Sequence, residues 1–476
     1  MRITFIRPNL FDGRSFDAMH PLCFAILKSM TPPDVETAFY DERLAPLPLN
    51  EPTDLAAMTV ETYTARRAYQ IADAYRRRGV AVVMGGYHPT FLPDEALRHA
   101  DTVVVGDAEG IWPHVVADAR KGQLRRIYRQ DVFPPLAGSA PDRSIFRGKR
   151  YAPCTLVQYG RGCKYNCNFC SIRAFYGNSL RQRPVAELID EIKRTGSKAI
   201  FLVDDNIFVD LPKAKELFEA LIPLGISWSC QVSIDIAHDP DLVKLMARSG
   251  CINALIGFES LNQENLQQMR KAWNLKHQDY QTSIQVFQDA GIMIYGTFLF
   301  GYDQDTVDSF DEAVDFAIRN KFYLANFNPL TPTPGADLYR QLKSENRLIY
   351  ERWWLDEDYR YGHATFHPRG MTADELTAGC LRARMRFNTF GSFFRRLWAP
   401  RTNLRSPFRF GVFVLSNIIS KREILSKQGR QLGSSAPARA AGAATRQGEA
   451  PAEPRAREPR ETPARDLELS KEGALR

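Results

Sequence analysis

The sequence contains no run of about 18 uncharged apolar residues, which excludes an ordinary membrane-spanning helix. A signal peptide is not expected either. The opening MRITFIRPNLFDGRSFD reaches charged residues too early for one and reads as a first strand. A cytoplasmic, reducing setting is expected. The eight cysteines are therefore read as metal ligands, nucleophiles or buried thiols rather than disulfides. No internal repeat with a period of roughly 20–50 residues occurs, so a repeat architecture is not indicated. A basic body is missing as well. The 476 residues include 63 Lys+Arg and 55 Asp+Glu, but residues 389–476 hold 17 of the basic and 8 of the acidic side chains. That leaves 46 and 47 for residues 1–388, and no nucleic-acid partner is expected of a neutral body. From Gly433 to Asp466 there is no aromatic residue, Leu, Ile, Val or Met. Residues 433–476 are read as a disordered tail, because they cannot bury enough apolar surface to offset ordering entropy.

What is present is a globular composition, 44% hydrophobic, with length for two or three domains. In residues 1–120, short apolar runs alternate with helical patterns. The runs are ITFIRP (3–8), TAFYD (37–41), LAAMTV (55–60), VAVVMGG (80–86) and TVVVG (102–106). This rhythm predicts an α/β fold with a doubly wound parallel sheet. Its ligands would sit at the carboxyl ends of the strands, where Gly85, Gly86 and His88 fall. Residues 121–150 read as a linker. Residues 151–335 show a second α/β rhythm of six strands, TLVQY (155–159), AIFLV (199–203), SWSCQV (227–232), NALIGF (253–258), MIYGTFLF (293–300) and LANFN (324–328). Helix signals lie between them: Pro184 in a first turn, Asp239-Pro240 as cap and start, and Gly250 and Gly291 as stops. Six such units predict a partial (β/α)6 barrel with its active site at the carboxyl ends of the strands. Residues 336–426 read as a mixed, partly helical extension. Its WWLDEDYRYG segment (353–362) reads either as pocket lining or as the apolar anchor of a lid.

The strongest motif is GRGCKYNCNFC, with Cys163, Cys167 and Cys170 in a loop after the first barrel strand. Three thiolates at this spacing can hold three corners of an iron–sulfur cluster and leave one iron open for chemistry. Structural zinc needs a closed set of four ligands, usually in two pairs, and no second pair follows. Cys154 precedes TLVQY and is expected to pack in or beside that strand.

This loop resembles that of the radical S-adenosylmethionine (SAM) enzymes, in which an aromatic residue, here Phe169, precedes the last cysteine. VVMGGYHPT (82–90), VVVGDAEGIWP (103–113), FLVDDN (201–206), LIGFES (255–260) and YGTFLFGY (295–302) narrow the resemblance. Together they are similar to the subgroup with an N-terminal cobalamin-binding domain that includes hopanoid methylases and the bacteriochlorophyll cyclase. The resemblance covers roughly residues 1–385 and implies the rest of this reading. Cys163, Cys167 and Cys170 would ligate a 4Fe–4S cluster. SAM would chelate the open iron and, on one-electron reduction by a partner such as flavodoxin or ferredoxin, be cleaved to a carbon radical. Asp204, Asp205 and Asn206, Gln231 and Ser233, and Glu259 end successive strands where SAM would be held. Each has a plain structural reading too: the first three as helix caps, Glu259 as the partner of Arg270 or Lys271. Residues 1–120 would be the cobalamin-binding-like domain, with Gly85 and Gly86 giving room for close backbone approach. The Asp-x-His-x-x-Gly signature of an axial histidine is absent, since Asp17, His20 and His88 do not match its spacing. The cobalt then lacks a protein histidine, or the domain keeps the fold without the cofactor. His88 reads as a satisfied turn residue.

The expected activity is a radical SAM enzyme forming a carbon–carbon or carbon–heteroatom bond on a small molecule in biosynthesis, first of all a cobalamin-dependent methyltransferase. The alternatives are cobalamin-independent transfer of the 3-amino-3-carboxypropyl group of SAM, for example to arsenic, and a cobalamin or redox sensor. A tRNA-modifying relative would show a basic barrel rim and an RNA-binding appendage, and neither is evident. Residues 390–415 interleave Arg with Phe and Trp. They read first as packing against the barrel mouth, second as a weak membrane-surface contact and last as a nucleic-acid surface.

Overall fold

The structure, a computed structural model, describes residues 1–434 except residues 12, 16, 131, 139 and 209. The predicted disordered tail lies outside the described residues from residue 435 onward. Six parallel strands make the N-terminal sheet: β1 (Arg2–Arg7), β2 (Glu36–Asp41), β3 (Leu55–Thr59), β4 (Ala81–Gly85), β5 (Thr102–Val105) and β6 (Ile127–Arg129). Their order is β2-β1-β3-β4-β5-β6. Five of them are the apolar runs of the sequence. The sixth falls in the segment read as linker. It is only three residues long and buries Tyr128 alone, too short for its alternation to announce it, yet it pairs along the free edge of β5. One face of the sheet packs Ile3, Phe5, Val83 and Trp112, the other Ile6, Met58, Val82 and Tyr69. Burial on both faces accounts for the near-continuous apolar runs. The strand order reverses between β1 and β3, and a crevice opens at their carboxyl ends.

The second sheet begins with β7 (Thr155–Val157). A small antiparallel hairpin, β8 (Gly160–Arg161) with β9 (Arg181–Gln182), follows outside the sheet. Then come β10 (Ala199–Leu202), β11 (Ser227–Val232), β12 (Cys251–Glu259), β13 (Met293–Phe300) and β14 (Leu324–Pro329). The sheet order β14-β13-β12-β11-β10-β7 follows the chain, with every pairing parallel, as in a partial barrel. Along β12, Ala254, Ile256 and Phe258 pack into the layer against the helices, while Leu255, Gly257 and Glu259 face the lumen. The signals at Asp239-Pro240, Gly250 and Gly291 hold, while Pro184 stands at the cap, one residue before the helix Val185–Thr195. Asp239 caps Pro240–Arg248 through Leu242 N–H at 3.0 Å, and Asp279 caps Tyr280–Asp289 through Thr282 N–H at 2.8 Å.

The extension does two things. The helix Pro407–Lys427 seats Phe413 against Met293 and Tyr323 at the amino ends of β13 and β14, blocking the lumen opposite the cysteine loop. The aromatic segment lines neither cavity at the strand ends. Trp353, Trp354 and Tyr359 are buried in the core of the N-terminal unit, where Trp354 Nε1 donates to Glu95 at 2.8 Å. His88 and Tyr69 bond the same carboxylate at 3.1 and 3.0 Å, so His88 is a satisfied core residue. Among the described residues no helix is long and apolar enough to cross a membrane.

Candidate active site

Residues 162–180 form a loop at the carboxyl end of β7, pinched at its base by the β8–β9 hairpin. Gly162 has φ +93°, and a Cβ there would lie 2.0 Å from Ser179 O, so the pinch requires glycine. Two neighbouring carboxylates hold the chain as it enters. Asp204 accepts from Tyr159 N at 3.1 Å and from Gly160 N, and Asp205 accepts from Gly162 N at 2.8 Å. Asn168, buried, ties the loop across the barrel. Its backbone N–H donates to Met269 O at 3.1 Å, and its side-chain oxygen accepts from Tyr302 at 2.8 Å.

The loop overhangs a cavity of about 130 Å³ lined by Cys163, Cys167, Cys170, Phe169, Asp205 and Asn206, with Gln231, Ser233, Glu259, Lys271, Trp273 and Thr297 opposite. The structure thus brings together all three predicted cluster cysteines and all but one of the predicted SAM contacts. Asp204 is the exception. Its side chain turns to the backbone of residues 159–160, and burial raises its carboxyl to about 7. Cys154 is at the amino end of β7, away from the loop, and does not line the cavity.

Glu259 reaches the lumen through a backbone irregularity. The β12–β13 register shifts between Gly257 and Glu259, and Glu259 has φ +64°. A bulge of this kind re-aims a side chain, and a non-glycine residue in this region is strained and concentrates at functional sites. Gly257 makes the space, because a Cβ there would lie 2.2 Å from Glu259 Oε1. Glu259 Oε1 pairs with Lys271 Nζ at 3.3 Å, and Thr297 donates to Oε2 at 3.4 Å. The Glu259–Lys271 pairing offered by the sequence is therefore formed, but inside the cavity. Desolvation opposes the charge on Lys271, and the negative charges of Glu259 and of a Cys167 thiolate outweigh it, so its pKa is raised. Lys271 and Thr297, both bonded to Glu259, are two of the lining residues that the sequence did not place there. Both are single polar residues without a motif, although Lys271 follows LIGFES closely enough to mark a return to the mouth.

Burial pushes the Cys167 thiol up to about 12 against the opposing cation of Lys271, and Cys163 and Cys170 are raised for the same first reason. A cationic iron cluster would fit this donor set, since a coordinating metal deprotonates thiols that burial keeps neutral. Among the described residues no three His, Cys, Asp or Glu side chains are grouped so as to hold a single metal ion.

A larger cavity, about 440 Å³, lies on the other side of the strand ends. Its floor is the switch point of the N-terminal sheet: Arg7, Ala57–Thr59, Gly85, Gly86 and Gly106. Its roof is the barrel: Leu156, Gln158, Arg161, Phe175, Tyr176 and Val203. A cavity of this size encloses a small ligand or part of a larger one. His20 lines it with Nδ1 buried and without a hydrogen-bond partner, while His88 lies outside it. Gly86 has a second explanation. Its φ is +105°, and a Cβ would lie 2.8 Å from Val60 O, so strand packing alone requires glycine there. Where the cavity meets the barrel, Arg161 bonds Asp107 at 3.0 Å and Glu109 at 2.6 Å, and Arg181 bonds Asp107 at 2.8 Å.

A thiolate loop over a partial barrel, with strand-end polar residues around one cavity, defines a radical SAM enzyme. Residues 157–317 match the Radical SAM superfamily, and the chain belongs to it. The chain is 31% identical over 364 residues to bacteriochlorophyllide d C-8(2)-methyltransferase of Chlorobaculum tepidum, covering 72% of this chain and 80% of that protein. It is 29% identical over 396 residues to bacteriochlorophyllide d C-12(1)-methyltransferase of the same organism, covering 80% and 86%. The fold is shared with the radical SAM methyltransferase TsrM from Kitasatospora setae, solved with cobalamin and a [4Fe-4S] cluster. The TM-score is 0.57 at 15% identity, covering 72% of this chain and 78% of that one. Membership in the superfamily implies a 4Fe–4S cluster and SAM.

Proposed function

We propose that this protein is a cobalamin-dependent radical SAM methyltransferase that methylates a carbon of a small-molecule biosynthetic intermediate. The observation that carries the reading is the placement of the two cavities back to back. Arg161 and Val203 line the larger one, while Cys163 and Asp205, two residues on along the same segments, line the smaller. A group held in the first would meet a substrate activated in the second. The relatives named as bacteriochlorophyllide methyltransferases support carbon as the acceptor.

Cys163, Cys167 and Cys170 would hold the cluster. Asp205, Asn206, Gln231, Ser233 and the Glu259–Lys271 pair would hold SAM, with Lys271 suited to its carboxylate and Glu259 to its amino group. Bound together, cluster and SAM supply a carbon radical by one-electron cleavage of a carbon–sulfur bond. Gly85, Gly86 and the cavity above them would hold cobalamin, which supplies the methyl group. The chain's own contribution is positional: Asn168 and Gly162 fix the loop, the plug at Phe413 closes the far end of the lumen, and Phe169 shields the cluster cysteines from water.

The test is anaerobic reconstitution, metal analysis, and reaction of SAM with a chemical reductant. The expected result is iron and retained cobalt, with 5′-deoxyadenosine and S-adenosylhomocysteine as SAM products. Methylthioadenosine would point instead to 3-amino-3-carboxypropyl transfer and overturn the reading. Iron with no retained cobalamin would overturn its cobalamin half. Absence of SAM cleavage from an intact cluster would favour a sensor.

A further inference from the structure

The outer face of the C-terminal helices is unlike the rest of the surface. Among the described residues, thirteen large hydrophobic side chains are exposed, and eight of them fall between Phe390 and Leu425. They follow helical spacing. Phe408, Leu415, Ile418 and Leu425 form one stripe along the helix Pro407–Lys427. Phe390, Phe394 and Trp398 recur every four residues on Phe390–Leu397 and its cap, with Trp398 77% exposed. The inner faces are already used, by Phe413 and Asn417 against the barrel and by the buried Arg396. The two helices pack through Phe393 and Phe413 at 5.0 Å, and Lys421 lies 5.4 Å over the Phe390 ring. The apolar stripe and the aromatic row thus belong to one packed pair.

The charge of this pair selects the partner. Residues 389–434 contain nine Lys+Arg and one acidic residue, Glu423, while residues 1–388 are neutral to within one charge. Arg395, Arg405 and Arg422 are exposed among the apolar positions, and Arg401, also exposed, pairs with Asp289 at 2.8 Å. An apolar, aromatic-rich face with cationic flanks fits an interface of lipid tails under anionic headgroups, and neither helix is long and apolar enough to cross it. We infer that this face docks the protein on the surface of an anionic lipid bilayer, lying in the interface plane with Trp398, Phe394 and the Leu415–Ile418 stripe immersed. This inference does not depend on the reaction catalysed.

Flotation of the purified full-length protein with phosphatidylcholine vesicles, with and without phosphatidylglycerol, tests it. Binding is expected only with phosphatidylglycerol, falling as salt is raised. F394S/W398S and L415S/I418S should each lower the bound fraction on the order of tenfold or more. Because these side chains are exposed, both variants should keep the wild-type melting temperature and cluster absorbance. Equal binding to both vesicle types, binding unchanged in both variants, or no binding at all overturns the inference. So does a vesicle-free dimer that both variants dissociate without any lipid binding, which would make this face a contact between copies of the chain.

Discussion

Arg161 is the clamp whose loss can be worked out from the structure. Its guanidinium meets Glu109 Oε1 at 2.6 Å and Asp107 Oδ2 at 3.0 Å, and the three side chains are 10%, 10% and 6% exposed. In Arg161→Met, Asp107 keeps Arg181 at 2.8 Å, whereas Glu109 is left charged and buried with no bonded cation and only the more distant charge of Arg181. Breaking a buried pair from one side costs about 3–5 kcal/mol, and the surviving Arg181 contact puts this case near 3. With about 2 cal/mol/K of unfolding entropy per residue, a protein of this size should lose about 3 °C in melting temperature. Desolvation would raise the Glu109 carboxyl, but the charge and hydrogen bond of Arg161 outweigh it and hold it below the usual glutamate range. A depressed carboxylate stabilises above its unfolded pKa of about 4.5, and that stabilisation is lost as pH falls through the folded value. The gap between wild type and Arg161→Met should therefore be widest near pH 7 and shrink as the pH falls, first as the stranded Glu109 of the variant takes up a proton and then as wild-type Glu109 does. Thermal denaturation across that range is the assay, with Arg161→Met/Glu109→Gln as the partner variant that removes the stranded charge and recovers at least half of the loss. A single variant that melts with the wild type at pH 7, or a gap that widens in acid, would refute the reasoning.

Cys167→Ala should abolish the visible absorbance of the reconstituted cluster and reductive SAM cleavage together, and retention of either would remove Cys167 from the ligand set. Gly162→Ala drives a Cβ to 2.0 Å from Ser179 O, so iron content should fall severalfold although no ligand is changed, as elemental analysis would show. Asp204→Ala leaves the Tyr159 and Gly160 N–H groups without their acceptor. It should cost about 1–3 kcal/mol per group in chemical denaturation, while SAM affinity of the folded fraction stays near wild type.

Much of this architecture was legible because its signals are local. Five strands of the first sheet and all six of the second are buried runs bounded by turn residues, and the cysteine spacing lies within eight residues. What stayed hidden depends on orientation or on distant partners. Asp204 and Asp205 are adjacent and chemically alike, yet one turns to the backbone of residues 159–160 and the other lines the cavity. Only the strand pleat separates them, and the pattern FLVDDN does not say which way it falls. β6 is three residues long, too short a run to stand out, and it forms along the edge of β5. Glu259 looked like an ordinary strand-end acid, but a register shift, a left-handed backbone and the missing side chain of Gly257 aim it at Lys271. The aromatic pair Trp353–Trp354 was plainly apolar, and nothing nearby in sequence showed that its socket was the N-terminal core.

That socket matters to anyone who would cut the protein apart. A minimal barrel beginning near residue 150 would keep Trp353, Trp354 and Tyr359 but lose the surface that covers them, leaving three large rings in water. An isolated N-terminal fragment would have a hole of the same shape and a Glu95 that keeps His88 and Tyr69 but loses the Trp354 N–H. Chimaeras between relatives should therefore exchange residues 1–150 and the loop around 350–362 as one unit, although two hundred positions of chain lie between them.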